Sequence, residues 1–364
     1  MQVKNKLSFH KIRIFLSDLK NRYNKYRIVL RERKEVNGIL KTIPDYKRLQ
    51  DSQNDIIQNY YIEKIGRQIN TLWHTLYLEG EFGFDSKYIP VDILFTEIIP
   101  KLNVSRFNEA YADKSGYEAL FPCISHPITI MKMINGSIYV NGKIISKEVL
   151  RPYLPETGIS ILKPTLDTSR GNGVRIINWE DIDSQEKLNA LLERSGDNFI
   201  IQEKIESHEV IRNLNSSSLN TLRIVSYRKD NDVYILSTTL KIGKSGSIVD
   251  NGHHGGYFCG VTDDGRLKKY LYTLNPFKRS RFTENGMEIE GIMLPNFDKI
   301  KSIVKQCALR LPYARYVGWD IGIRTDGEPV LIEINLRCPG GNIMQIPNGP
   351  LFGDHTDEIL EEVF

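Results

Sequence analysis

The sequence predicts an α+β protein, with a helical N-terminal region followed by strands paired mostly as antiparallel hairpins. Three observations carry this. Through the first hundred residues apolar side chains recur at three- and four-residue spacings, the period of a helix face. Beyond residue 105 they form short runs bounded by turn residues. Strand and helix do not alternate in the regular way that builds a parallel sheet.

The elements follow in order. Residues 7–31 place Ile12, Phe15, Leu16, Leu19, Tyr23, Tyr26 and Leu30 on one side of a helix, with basic residues between them. Residues 54–80 repeat the period through Ile57, Tyr61, Ile65, Ile69, Leu72, Leu76 and Tyr77, and Gly80 and Gly83 end the run. A third helix covers Val91–Ile99 and stops near Pro100, and a short one is expected over Ala112–Phe121. Strands are expected at Pro127–Met133, Ser137–Val140, Ile159–Lys163, Gly173–Asn178, Phe199–Gln202, Thr221–Tyr227, Val233–Lys241, Val317–Ile323 and Val330–Asn335. Helices lie between them at Ser184–Arg194 and Phe297–Leu311, and the Gly-rich Asp250–Gly260 segment reads as a loop. The expected organisation is a basic helix at 1–34, a helical region at 35–104, and two α+β subdomains at 105–200 and 201–364.

Composition narrows the class. Among 364 residues, 40% are hydrophobic and 26% charged, so wholesale disorder is not expected. The net charge of +4 hides an asymmetry: residues 1–34 hold eleven Lys/Arg against Asp18 and Glu32, and the remainder is slightly acidic. A nucleic-acid binder is therefore not expected. The basic stripe fits an anionic membrane surface, and it equally fits docking onto the body or a second subunit. No stretch is apolar enough to span a bilayer and no apolar core follows the first lysines, so neither a membrane span nor a secretory signal is read. Cys123, Cys259, Cys307 and Cys338 are scattered, as expected of reduced thiols in a cytoplasmic protein, which the basic helix could hold at the inner membrane surface.

Three segments carry chemistry. In Val317–Asn335, two apolar runs flank Asp326-Gly327, the signature of a type I′ hairpin. With a two-residue loop, paired positions sum to 653, so Asp320 faces Glu333 and Gly318 faces Asn335. Glu333 and Asn335 then share a sheet face. Two carboxylates and an amide converge inside apolar strands, an oxygen-only set that suits Mg²⁺; an edge hairpin with its polar side in water is the alternative. In Ile159–Ile177, a strand ends in Lys163 and a loop of small residues follows, with Ser169, Arg170, Gly171, Asn172 and Gly173. Such a loop can close over phosphates or be a plain turn. In Phe199–Glu209, an apolar strand runs into a polar stretch that can offer backbone hydrogen bonds to an adenine edge, though an ordinary strand exit looks the same.

Taken together and in this order, the segments resemble the ATP-grasp superfamily. They are joined by Ala112-Asp-Lys114, Asn220-Thr-Leu-Arg223, Asp250-Asn251 with Gly255-Gly256, and Cys338-Pro-Gly-Gly341, which resemble its sugar-transfer-associated branch. The resemblance covers roughly residues 60–364 and implies two α+β subdomains gripping ATP, 105–200 supplying the lid and 201–364 the metal site. It implies that Lys163 and Lys114 contact phosphates, that Ser169–Gly173 close over them, and that Gln202, Glu203, Lys204 and Ile205 form the adenine hinge, with His208 or Glu209 reaching the ribose. Asp320, Glu333 and Asn335 would bind two Mg²⁺ ions. Arg223 would neutralise the transferring phosphoryl group with Lys163, and Arg337 would face the same site. Asn220, Asp250, Asn251, His253, His254, Gly340 and Gly341 would meet substrate. The implied activity is an ATP-dependent carboxylate–amine ligation through an acyl phosphate, on an acidic sugar or amino acid in surface-polysaccharide assembly. A kinase acting on a hydroxyl would share the nucleotide site, and a non-catalytic nucleotide-binding adaptor would need fewer of these residues. A nucleotide-fold domain often opens such chains; here residues 1–100 read as helical instead.

Overall fold

The structure is a computed structural model that describes residues 2–166, 172–247 and 255–364; within the first helix, side chains are described from Leu16 onward, Ser17 excepted. Helix α1 spans Gln2–Leu40, running without a break past residue 34. Its last turns bury Val36, Ile39 and Leu40 against Trp73, Tyr77 and Tyr272.

The helical run expected over 54–80 is two helices, α2 at Asp51–Ile65 and α3 at Leu72–Tyr77. Gly66 breaks it: in the left-handed conformation its N–H bonds back to the Ile62 carbonyl, and Asn70 then accepts from Leu72 N–H to start the next helix. Pro100 does not stop the third helix. The chain passes from Val91–Ile93 through a π turn at Leu94–Ile98 into Ile99–Leu102. The wider turn immediately before Pro100 absorbs the hydrogen bond that proline cannot donate. The single helix expected over Ala112–Phe121 is two short pieces, Asn108–Ala112 and Tyr117–Leu120, joined by a 3₁₀ turn.

Among the described residues, thirteen strands form two sheets. The first contains β1 (Thr129–Ile134), β2 (Ser137–Val140), β3 (Lys143–Ile144), β4 (Ile159–Pro164), β5 (Arg175–Asn178) and β6 (Phe199–Glu203), in the order β3-β2-β1-β6-β4-β5. The helix Gln185–Ser195 covers it through Leu188, Leu191 and Leu192. The second contains β7 (Thr221–Lys229), β8 (Asp232–Ile242), β9 (Tyr257–Val261), β10 (Leu267–Leu274), β11 (Phe277–Ser280), β12 (Tyr316–Ile323) and β13 (Pro329–Asn335), in the order β11-β10-β9-β8-β7-β12-β13. All these pairings are antiparallel. β3 and β9–β11 escape the sequence pattern, because β3 is only two residues, β10 and β11 carry four Lys/Arg, and β9 emerges from the Gly-rich segment read as a loop.

The second sheet is buried on both faces. On one, Ile224, Trp319 and Ile321 pack with the helix Phe297–Leu309. On the other, Val225, Tyr227 and Tyr316 pack with α2, the 91–102 segment and the C-terminal helix Thr356–Val363. Cys123 and Cys307, 184 positions apart in the chain, meet with their sulfurs 3.2 Å apart.

Candidate active site

The β12–β13 hairpin reaches its expected register by an unexpected route. Asp320 does face Glu333, and Gly318 faces Asn335. Near the turn, however, Ile323 pairs with Pro329, and Arg324 N–H bonds to the Glu328 carbonyl, so the loop holds three residues, not two. Gly327 takes the left-handed conformation (φ 82°), and Asp326 accepts from Glu328 N–H. A bulge between Asp320 and Ile321 leaves Ile332 unpaired and restores the frame. The longer loop and the bulge cancel, leaving Asp320 and Glu333 opposite each other.

Asp320 is also paired with Arg223 across β12–β7, so a row Arg223–Asp320–Glu333 crosses three strands. Arg223 grips Asp320 with a fork, Nε to Oδ1 at 2.6 Å and Nη2 to Oδ2 at 3.0 Å, and its Nη1 donates to the Pro339 carbonyl at 2.9 Å. Lys241 on β8 adds Nζ to Oδ2 at 3.2 Å, and Asn335 Nδ2 lies 3.5 Å from the same oxygen. Burial pushes the Asp320 carboxyl up, but Arg223 and Lys241 outweigh it and hold it well below the usual carboxylate range. Glu333, partly exposed, pairs with the buried Lys114 at 3.0 Å. Lys163 is the penultimate residue of β4 on the opposite sheet. Its enclosure, with the nearby Lys114 charge, outweighs Glu333 and lowers its pKa to about 8.

These groups line one cavity of about 790 Å³ between the two sheets. Gln202, Glu203, Lys204 and Ile205 form another wall, with Ile161, Ile176 and Ile332 supplying apolar surface. The Gln202 side-chain oxygen is buried without a hydrogen-bond partner. The Glu203 carboxylate is held by Arg324 at 2.6 Å and by Ile128 N–H at 2.8 Å. Gly340 and Gly341 line the cavity beside Cys338, and Arg337 stands at its rim, paired with Glu109 at 2.6 Å.

Other expected residues lie elsewhere. His208 does not line the cavity: its Nδ1 accepts from Val210 N–H and caps the helical turn Glu209–Arg212, whose first residue is Glu209. Asn220 is buried among backbone groups, donating to the Ile211 and Asn215 carbonyls and accepting from Gly243 N–H, so its amide ties loops together, and it is not among the residues lining the cavity. Asn172 and Gly173 are exposed turn residues off the cavity wall. Ser169, Arg170, Gly171, Asp250, Asn251, His253 and His254 fall outside the described residues.

Lys241 and three residues of α1 were missed in the sequence. Lys241 carried a readable signal, a lone cation closing an apolar strand as Lys163 does. Arg31, Glu32 and Glu35 of α1 also line the cavity, and only the packing of α1 brings them there.

The sequence model of the sugar-transfer associated ATP-grasp family matches residues 94–359, and the chain belongs to that family. Similar solved structures include an ATP-grasp ligase, PsnB, complexed with minimal precursor, Mg and ADP (16% identity over 72% of this chain and 62% of that one, TM-score 0.41). Another is the VanG D-Ala:D-Ser ligase from Enterococcus faecalis (12% identity, 69% and 60%, TM-score 0.40). A third is an L-amino acid ligase from Bacillus licheniformis (12% identity, 84% and 52%, TM-score 0.38). The chain spans about three-fifths of the length of the first of these. No curated protein sequence matches it.

Proposed function

We propose that the chain is an ATP-dependent carboxylate–amine ligase that works through an acyl phosphate, with an acidic sugar or amino acid of surface-polysaccharide assembly as its carboxylate, acting in the cytoplasm. We assign the sheet of β1–β6 as the lid and the sheet of β7–β13 as the half that binds metal. The observation that supports this most is the meeting of Lys114, Lys163, Arg223 and Lys241 with Asp320, Glu333 and Asn335 in one cavity between the sheets.

The residues present fit Mg²⁺. The donors are oxygens on one rigid hairpin, and Asp320 is held ionised. Its Oδ1 receives Arg223 Nε, which leaves a lone pair for a metal. Asp320, Glu333 and Asn335 would hold two ions, which supply positive charge against the phosphoryl oxygens. The cavity also fits a nucleotide: the orphan Gln202 oxygen and the half-buried Lys163 offer an acceptor and a cation on the wall away from the hairpin.

A carboxylate resists attack by an amine because it is anionic and has no good leaving group. In the proposed sequence a carboxylate oxygen attacks the γ-phosphorus, the β–γ bridge breaks and ADP departs. The amine nitrogen then attacks the acyl carbon, loses a proton, and expels phosphate. Lys163 and Lys114 position the phosphates. Arg223, locked onto Asp320 and Pro339, keeps the hairpin and the 338–341 loop in place around the reacting groups. The lid must exclude water during the reaction, because water would hydrolyse the acyl phosphate.

Incubation with ATP, Mg²⁺ and a panel of acidic sugars and amino acids, with hydroxylamine as trap, tests this reading. A hydroxamate of one acid, formed with ADP, is expected. ADP release with a stable phosphate ester and no hydroxamate would assign a kinase instead.

A further inference from the structure

We propose that α1 docks the protein onto an anionic membrane surface. Its C-terminal turns are core, but Leu16, Leu19, Tyr23, Tyr26 and Leu30 are between 49% and 60% exposed. Their spacing alternates three and four, and at 100° per residue they fall within an arc of about 80°. Lys20 and Arg27 border this stripe on one edge and Arg22 on the other, all exposed. Between Leu16 and Arg31 there are five Lys/Arg and a single acid, Asp18, which pairs with Arg22 at 3.0 Å.

The charges decide what covers the stripe. A second copy would use it as a coiled-coil seam, with flanking positions facing each other across the pair. In either orientation those positions bring Arg22, Lys20 and Arg27 against one another, cation to cation. A coiled-coil core would also bury the Tyr23 and Tyr26 hydroxyls. At a bilayer surface the same residues are complementary. Apolar side chains enter the acyl boundary, the tyrosines sit at headgroup level, and the bordering cations extend to lipid phosphates. Among the described residues no helix is long and apolar enough to cross the membrane, so α1 would lie on the surface. Within the five residues after Leu30, Arg31, Glu32 and Glu35 enter the cavity wall. Leu30 and Glu35 are about 8 Å apart along the axis, and Glu32 and Glu35 lie about 140–160° round the helix from the centre of the stripe, so docking would hold the cavity across the helix from the lipid, roughly one helix diameter away.

Flotation of the full-length protein tests this, with vesicles of phosphatidylcholine mixed with phosphatidylglycerol and vesicles of phosphatidylcholine alone. Flotation is expected with the mixed vesicles at low salt, and not with phosphatidylcholine alone or at high salt. Combining Lys20→Gln, Arg22→Gln and Arg27→Gln should weaken partitioning roughly 100-fold without moving the melting temperature. Tyr23→Ser with Tyr26→Ser should also reduce flotation. Failure to float at low salt, or flotation unchanged in both variants, overturns the proposal. So does a dimer in solution that Leu16→Ser with Leu19→Ser dissolves while vesicles stay unbound, which would assign the stripe to a second copy.

Discussion

In the proposed reading Glu333 serves the metal and Lys163 the phosphates, and each assignment is separately testable. Glu333→Gln removes a carboxylate that is partly exposed and paired with Lys114, so the fold should survive. Mg²⁺-dependent ADP production should fall at least about 100-fold, at an unchanged melting temperature, if the carboxylate holds metal through the transition state. Near-normal turnover in the folded variant would remove Glu333 from the metal set. For Lys163, whose folded pKa is about 8 against roughly 10.4 unfolded, the sign is fixed by proton counting. Between those values the unfolded chain binds more protons, so this lysine costs stability below pH 8, and the cost fades as pH rises towards 10. Lys163→Met should therefore raise the melting temperature of the nucleotide-free protein at pH 7 and lose that advantage near pH 10. Bound triphosphate favours the charged form, so calorimetry above pH 8 should show proton uptake on nucleotide binding that Lys163→Ala abolishes. Arg223 is different, because it is committed to a buried carboxylate. Arg223→Ala leaves Asp320 held by Lys241 without the guanidinium fork and should cost about 3–5 kcal/mol, read by denaturant unfolding, along with activity.

At the scale of elements, the β12–β13 hairpin shows what a spacing argument can reach. The pairing of Asp320 with Glu333 was legible, because apolar runs on both sides of Asp326-Gly327 had to pair and two-residue periodicity fixes the shared face. The loop length and the bulge were not legible, because one extra residue in the turn and one in the strand offset each other. Pro100 and Gly66 show the opposite limit. Proline reads as a stop, yet packing of Ile98, Ile99 and Leu102 in the core keeps the helix going through a π turn. Gly66 lies within an apparently continuous apolar period, yet it ends α2. The hairpin also depends on close approach: a Cβ at Gly318 would lie 2.6 Å from the Pro339 carbonyl oxygen. Gly318→Ala should push the 338–341 loop away from Arg223, costing roughly 1–3 kcal/mol in unfolding experiments and lowering turnover. A variant with unchanged stability and activity would show that the loop yields without consequence.

At the scale of the molecule, α1 joins two roles that composition had separated. The stretch 1–34 stands out by charge, but the helix continues to Leu40 and its end is core. Deleting residues 1–30 should leave the melting temperature nearly unchanged. Deleting 1–40 strips Val36, Ile39 and Leu40 from Trp73 and Tyr272, at about 1.5–3 kcal/mol per side chain, and should unfold the protein at a markedly lower temperature.

By itself the sequence determined the α+β class, most of the strands and the polar residues of the hairpin. These follow from local periodicity and from the cost of placing carboxylates in apolar strands, both properties of neighbouring residues. Tertiary structure alone decided that Lys241 joins Arg223 on Asp320, that Lys114 meets Glu333 across 219 positions, and that α1 supplies part of the cavity wall. It also decided that His208 and Asn220 serve as a cap and a loop tie. The physical reason is that a side chain's partner in these cases comes from another element. Ion pairing and desolvation depend on distances that only the packing of sheets and helices sets.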